Sequence, residues 1–212
     1  MLVGEGPGEH EDEEGRPFTG TAGQMLDEML DYIGLDRNQV FIANCVRCRV
    51  RNNATPSMED VHFCADKWLA MEIRIIKPQI IVAMGQPAIR YLLDDDTLTV
   101  EHTHAIPQWR TIEGQPVMVF PVYHPAAGLY TTSQLRMVFD DFRVLGDILQ
   151  GANPESYVPV DQYPLPVYTE VTTTAKALEL LSMSEYSLDT ETVPGPDGVS
   201  VLWSVQVSSG PG

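Results

Sequence analysis

The chain has 212 residues, 43% hydrophobic and 20% charged, and its 30 acids against 13 bases give a formal net charge of −17. This allows one large globular domain, or one domain with part of another. No apolar run reaches the ~20 residues of a membrane span, no secretory leader is read at the start, and Cys45, Cys48 and Cys64 are too few for a disulfide scaffold. The expectation is a cytoplasmic protein, or a viral one acting in its host's cytoplasm, with no membrane partner. The charge speaks against nucleic acid, whose binders usually carry a basic footprint, unless the few bases cluster or the acidic surface is a salt adaptation.

An apolar strand, residues 1–3, leads directly into Gly4-Glu5-Gly6-Pro7-Gly8 and an acid-rich turn. Three glycines in five residues let the backbone turn sharply at a strand end and approach a ligand closely. A nucleotide cradle does not fit: neither G-x-G-x-x-G spacing nor Gly-Lys-Ser/Thr follows, and the acids of residues 9–14 repel phosphate. Met25, Leu26, Met29, Leu30 and Ile33 then recur at helical spacing, with Gly34 as C-cap. Residues 40–44 (VFIAN) read as a strand, and Thr55-Pro56-Ser57 with Glu59 and Asp60 opens a helix running to about Ile76.

Residues 79–84 (QIIVAM) are a continuous apolar run, typical of a strand covered on both faces. Gly85 turns the chain into a helix over 86–93, residues 97–110 are poorly patterned, and a strand over 117–122 delivers His124. An amphipathic helix over 134–149 follows. Strands alternating with helices predict a three-layer α/β/α sandwich around a mostly parallel sheet. Glu5, Asn44, Gly85 and His124 then all fall at strand C-terminal ends, where ligands gather.

Residues 151–166 hold four prolines and read as a linker between a domain at 1–150 and a segment at 167–212. That segment reads as a strand over 167–171, a helix over 173–181, a strand ending in Asp189-Thr190-Glu191, and a further strand over 199–208.

Several stretches share one resemblance. Gly4 to Gly8, Glu11, Asp12, Gly15, Arg16, Pro17, Phe18, Gly20, Ala22 and Gly23 resemble the first motif of the family 4 uracil-DNA glycosylases, a GE-A/G-PG loop followed by G-x-PFxG-x-AG. Residues 42–49 (IANCVRCR) are similar to that family's TNxVKCRP. Residues 123–130 (YHPAAGLY) resemble its HPAALLR, with Gly128 for a Leu and Tyr130 for the Arg. The resemblance spans residues 1–150 and implies a DNA-repair hydrolase that cuts the N-glycosidic bond of deoxyuridine and releases uracil.

Such excision needs a flipped base, recognition of its edge, stabilisation of an anionic leaving group and a placed water. Gly4, Gly6, Pro7, Gly8 and Pro125 are then expected around the substrate, with Phe18 stacking on the ring. The Asn44 amide offers a donor and an acceptor to O4 and N3–H of uracil, and cytosine presents the reverse pattern. His124 donates to O2 as charge develops there. Glu5 and Glu11 either orient or deprotonate the water, or Glu11 crowds C5 and excludes thymine. The two departures at residues 128 and 130 predict a preference for single-stranded DNA. Arg47, Arg49 and Arg51 alternate, and on an extended segment they share one face as a phosphate patch. The remaining histidines, His10, His62, His102 and His104, are expected on the surface.

Family 4 enzymes carry a 4Fe–4S cluster on four cysteines, and Cys48 and Cys64 match the downstream pair. The upstream C-x-x-C has no counterpart, so the chain is expected to lack its natural beginning and to form the cluster only in a longer protein. Cys45-x-x-Cys48 also has metal spacing, and free buried thiols are the alternative. Asp189-Thr190-Glu191 resembles the first motif of the DEDD 3′–5′ exonucleases of family A polymerase type. Their carboxylates bind two divalent metals, Mg2+ or Mn2+, and strand alternation places Asp189 and Glu191 on one face. The combined expectation is a glycosylase acting on uracil-containing DNA, covalently continuous with an incomplete exonuclease of a DNA polymerase. A non-catalytic uracil-sensing module of a replication enzyme is the rival reading.

Overall fold

The computed structural model describes residues 1–157, 187–194 and 200–208, and the chain divides into two compact units, Met1–Pro159 and Val160–Gly212. In the first unit, β1 (Leu2–Gly4), β2 (Ile42–Asn44), β3 (Ile80–Met84), β4 (Gln108–Ile112) and β5 (Gln115–Val122) form one sheet of order β2-β1-β3-β5-β4. All neighbours are parallel except β4, which pairs antiparallel with β5 at the edge.

The period of two in a strand sends alternate side chains to opposite faces. Val3, Ala43, Ile81, Ala83, Val117 and Val119 pack on one side with α3 (Met58–Lys67), α4 (Leu69–Ile76) and α5 (Gln86–Leu93). Leu2, Val82, Met84, Met118, Phe120 and Val122 pack on the other with α2 (Thr21–Tyr32) and α7 (Thr132–Leu149). Coverage on both faces is why these strands read as unbroken apolar runs. Each fully buried large aliphatic or aromatic side chain stabilises by about 1.5–3 kcal/mol, and Phe120, Phe142, Leu26, Met29 and Ile81 are among those buried. The expected three-layer α/β/α sandwich is therefore the fold of this unit.

Four local departures have physical causes. The acid-rich turn is a short helix, α1 (Glu9–Glu14), whose first turn carries Glu9, Glu11 and Asp12 against the positive end of its dipole; Gly15 closes it at φ +70. It buries no residue, so no apolar stripe announced it. The helix expected to run to Ile76 breaks at Trp68 (φ −108, ψ −51) into α3 and α4, although Ser57 caps its start by accepting the Asp60 N–H. The poorly patterned segment contains a short helix, α6 (Val100–Thr103), and β4, whose Trp109, Arg110 and Thr111 are exposed. Glu113 and Gly114, both at positive φ, form the tight turn into β5.

In the second unit, β6 (Ser187–Pro194) and β7 (Ser200–Ser208) pair antiparallel, with Asp189 opposite Gln206 and Glu191 opposite Ser204. The strand expected over 167–171, the helix over 173–181 and most of the 151–166 linker lie outside the described residues.

Candidate active site

The parallel strands of the first unit end at one edge of the sheet, and a cavity of about 640 Å³ opens there. Its wall includes Glu5, Gly6, Pro7, Gly8, Glu11, Phe18, Asn44 and His124. These come from three strand ends and the turn before α2, so the topology gathers residues more than a hundred positions apart. Gly4 and Pro125 are buried and do not line the wall.

Gly4 pairs in register with Asn44. A Cβ on Gly4 would sit 2.6 Å from Asn44 Oδ1 and 2.7 Å from the Phe18 ring, so only glycine lets the amide and the ring close over that strand end. Asn44 is 5% exposed, and its Oδ1 has no hydrogen-bond partner. A buried polar group left unpaired costs about 1–3 kcal/mol, a cost that a bound N–H relieves.

Phe18, also 5% exposed, is a non-glycine residue at φ +54. Such a conformation costs of order 1–3 kcal/mol and persists where its surroundings over-determine it. Here they do. Glu11 Oε1 accepts the N–H groups of Thr19 (3.1 Å) and Gly20 (3.0 Å), and Arg37 donates to the Pro17 carbonyl (2.7 Å) while pairing with Asp27 (2.8 Å). Gly23 leaves room for the Phe18 carbonyl, which would lie 1.9 Å from a Cβ placed there. The Phe18 ring stacks on His124, with centroids 5.5 Å apart and planes at 28°.

His124 Nδ1 accepts the Ala126 N–H at 3.2 Å, so the neutral ring carries its proton on Nε2. Burial lowers its pKa to about 4, against the opposing pull of the Glu11 carboxylate. At neutral pH it is an uncharged donor in the cavity wall.

The two carboxylates differ. Burial pushes Glu5 above the ordinary carboxylate range, and its side chain makes no hydrogen bond among the described residues. Burial also pushes Glu11 upward, but the backbone N–H groups around it, those of Gly20 and Thr19 among them, outweigh that and hold it below the usual range. Glu11 is committed to the Phe18 turn, whereas Glu5 is uncommitted.

The expected arginine face does not form. Residues 45–50 are not a strand, and Arg51–Asn53 is a short 3-10 turn with Asn52 and Asn53 at positive φ. Arg47 pairs with Glu72, and Arg49 pairs with Glu9 (3.2 Å) and donates to Asn53 (2.7 Å). Arg51 is exposed and makes no ion pair among the described residues. That loop instead supplies part of the cavity wall through Val50 and residues 53–56, a role that no motif in the sequence signalled. His10 is exposed as expected but also lines the cavity. His104, expected on the surface, is half-buried against Asp141. At the rim, Leu129 and Tyr130 are 45% and 80% exposed.

Cys45 is buried, which pushes its thiol up to about 12 and leaves it inert; Cys48 is exposed and Cys64 half-buried. Among the described residues no three His, Cys, Asp or Glu side chains gather to hold a metal. Cys48 and Cys64 alone do not make the four-thiolate set of a 4Fe–4S cluster, and no chemical step below passes through one.

Comparison with known proteins agrees with this geometry. Residues 1–144 match the uracil DNA glycosylase superfamily. A type-4 uracil-DNA glycosylase of Sulfurisphaera tokodaii is 37% identical over 161 residues, covering 74% of this chain and 72% of the relative. Another, of Archaeoglobus fulgidus, is 38% identical over 162 residues, covering 73% and 78%. A more distant match, 25% identical over 197 residues, is to a DNA polymerase of Bacillus phage SP01, covering 91% of this chain and 21% of the polymerase.

Proposed function

Since the chain belongs to the uracil-DNA glycosylase superfamily, with type-4 enzymes among its relatives, we propose that it hydrolyses the N-glycosidic bond of deoxyuridine in DNA with a stated division of labour. The observation that carries the reading is the buried, unpartnered amide oxygen of Asn44 beside the Phe18 ring and the His124 donor. Uracil offers N3–H to that oxygen, and its O4 accepts from the amide nitrogen. Cytosine reverses both polarities and leaves the pair mismatched. Phe18 supplies a face for the flipped ring.

As the C1′–N1 bond breaks, its electron pair passes to the base. The neutral His124 Nε2–H donates to O2, where negative charge develops; it meets that charge without first having to lose a proton. Glu5, raised by burial, accepts a proton from the water whose oxygen bonds to C1′, and its charge favours the oxocarbenium-like sugar. Glu11 holds the Phe18 turn. The exposed Leu129 and Tyr130, with no arginine at position 130, support preference for single strands.

The test is release of free uracil from a single-stranded oligonucleotide containing one deoxyuridine, without added metal. Asn44→Asp loses the donor for O4, so uracil release falls sharply and any activity on cytosine rises from nothing. Equal uracil release by the variant sinks the assignment of Asn44. Binding without release by the parent protein supports a uracil-sensing role instead.

We also propose that the segment from residue 167 begins a proofreading-type exonuclease fused to the glycosylase. Support comes from the Asp189-Thr190-Glu191 pattern and from the reach of the polymerase match over 91% of this chain. Chelator-sensitive 3′–5′ degradation by a longer protein, lost on Asp189→Ala, tests this. In the same way, a cluster on Cys48 and Cys64 requires two thiolates beyond them, which iron and sulfide assays on a longer protein report.

A further inference from the structure

Asp141 is out of place by composition. It lies on α7 among Val138, Phe142, Val144 and Leu145, and it is 1% exposed. Burying a carboxylate is costly unless it is paired and hydrogen-bonded, so its partners indicate its use. Oδ1 lies 2.7 Å from His104 Nδ1, and Oδ2 accepts the Tyr123 N–H at 3.0 Å. Both oxygens are therefore occupied, one by the His104 ring and one by the backbone immediately before His124.

The same joint is held from a second side. Ala105 donates its N–H to the Pro121 carbonyl at 2.9 Å, and the His104 ring packs on Tyr123 with centroids 4.7 Å apart. The segment after α6 is thus stapled to the end of β5. Beyond the joint, the Ala126 N–H fixes His124 Nδ1. Neither Asp141 nor His104 lines the cavity, so any effect on the reaction runs through His124. We propose that Asp141, clamped by His104, is a positioning residue that aims the His124 Nε2–H through the Tyr123 backbone. This rests on the role given to His124 above.

The groups facing the pair are Tyr123 at the end of β5, Glu101 on α6 and Asp140 on α7. The hydrogen bond to Asp141 raises His104 above its ordinary value, despite burial, and Glu101 adds to it. Burial raises Asp141, with His104 and the Tyr123 N–H pulling it back. Both members are charged only between those two limits. Rising pH removes the cation from His104, and falling pH neutralises Asp141 before an ordinary carboxylate. The clamp therefore weakens at both ends of the range.

The test measures single-turnover uracil release and KM against pH for Asp141→Asn and His104→Gln, with urea unfolding to verify the fold. Asparagine retains an acceptor for the Tyr123 N–H but abolishes the ion pair. A misaimed donor is expected to lower the rate about 10- to 100-fold in each variant while KM moves less than about twofold. The double variant should be no slower than Asp141→Asn, and the alkaline fall of the parent's rate should vanish in His104→Gln. If Asp141→Asn does not fold, His104→Gln decides by the same readouts. Parental rates and an unchanged pH profile in folded variants overturn the inference, provided His124→Ala is slow. A parental rate in His124→Ala overturns the role of His124 itself.

Discussion

In the proposed reaction, the value of His124 lies in its being uncharged. A protonated imidazole in this cavity would have to be bought against burial, whereas the neutral tautomer fixed by Ala126 presents its N–H at no such cost. His124→Ala is expected to remove roughly 2–4 kcal/mol of barrier lowering, as for other oxyanion-type donors; an unchanged single-turnover rate excludes the assignment. The same residue leaves a mark on stability. Its folded pKa of about 4 lies below the ordinary histidine value of 6.5, so between those values the unfolded chain binds the proton more readily. Stability attributable to His124 therefore falls as pH drops from 6.5 towards 4. His104 has the opposite sign: its raised folded pKa contributes stability below 6.5 that is lost as pH rises through the folded value. Urea unfolding at several pH values should show a shallower acid-side loss in His124→Gln and a shallower alkaline-side loss in His104→Gln. Profiles parallel to the parent's would remove both attributions.

The elements legible from the sequence were those whose burial is two-sided or whose spacing is regular. β3, α5 and β5 stood out because covered strands are continuously apolar and because Gly85 punctuates the chain between β3 and α5. Asn44, Phe18 and His124, which the structure brings to one cavity wall, stood out because each sits in a long motif at a strand end or a tight turn. What stayed hidden depends on contacts distant in the chain. β4 is a strand through its pairing with β5 rather than its own exposed residues, and the wall at Val50 and residues 53–56 is placed by two consecutive left-handed asparagines. The Asp141–His104 pair joins residues 37 positions apart. The turn before α2 shows how much one element rests on one position. Gly23→Ala would put a Cβ 1.9 Å from the Phe18 carbonyl, against backbone that cannot swing aside as a side chain can. The expected cost is about 1–3 kcal/mol or more of stability, with loss of the Phe18 stacking face and of uracil release. Gly34→Ala is the comparison: φ is +76 there, but nothing lies within 4 Å of the added carbon. It should cost only about 1 kcal/mol and leave uracil release intact. Equal losses in both variants would show that the contact at Phe18 is not what requires glycine.

A formal charge of −17 on a protein that acts on DNA sets long-range repulsion against short-range attraction. The repulsion is screened beyond a Debye length of about 10 Å at 0.1 M salt, so added salt relieves it while weakening direct phosphate contacts. Of the three arginines proposed to meet phosphate, Arg47 and Arg49 already hold Glu72 and Glu9, while Arg51 makes no ion pair among the described residues. Each phosphate neutralised on a single strand contributes about −0.7 to the slope of log K against log salt. Binding to a single-stranded uracil oligonucleotide should therefore show a slope between about 0 and −1.5, shallow for a DNA-binding protein. Arg51→Ala should flatten it by about 0.7, while Arg47→Ala and Arg49→Ala leave it nearly unchanged. Fluorescence anisotropy titrations over a range of NaCl concentrations measure all four proteins. A parental slope steeper than about −2, flattened equally by each of the three substitutions, would mean that Arg47 and Arg49 exchange their carboxylates for phosphate when DNA binds.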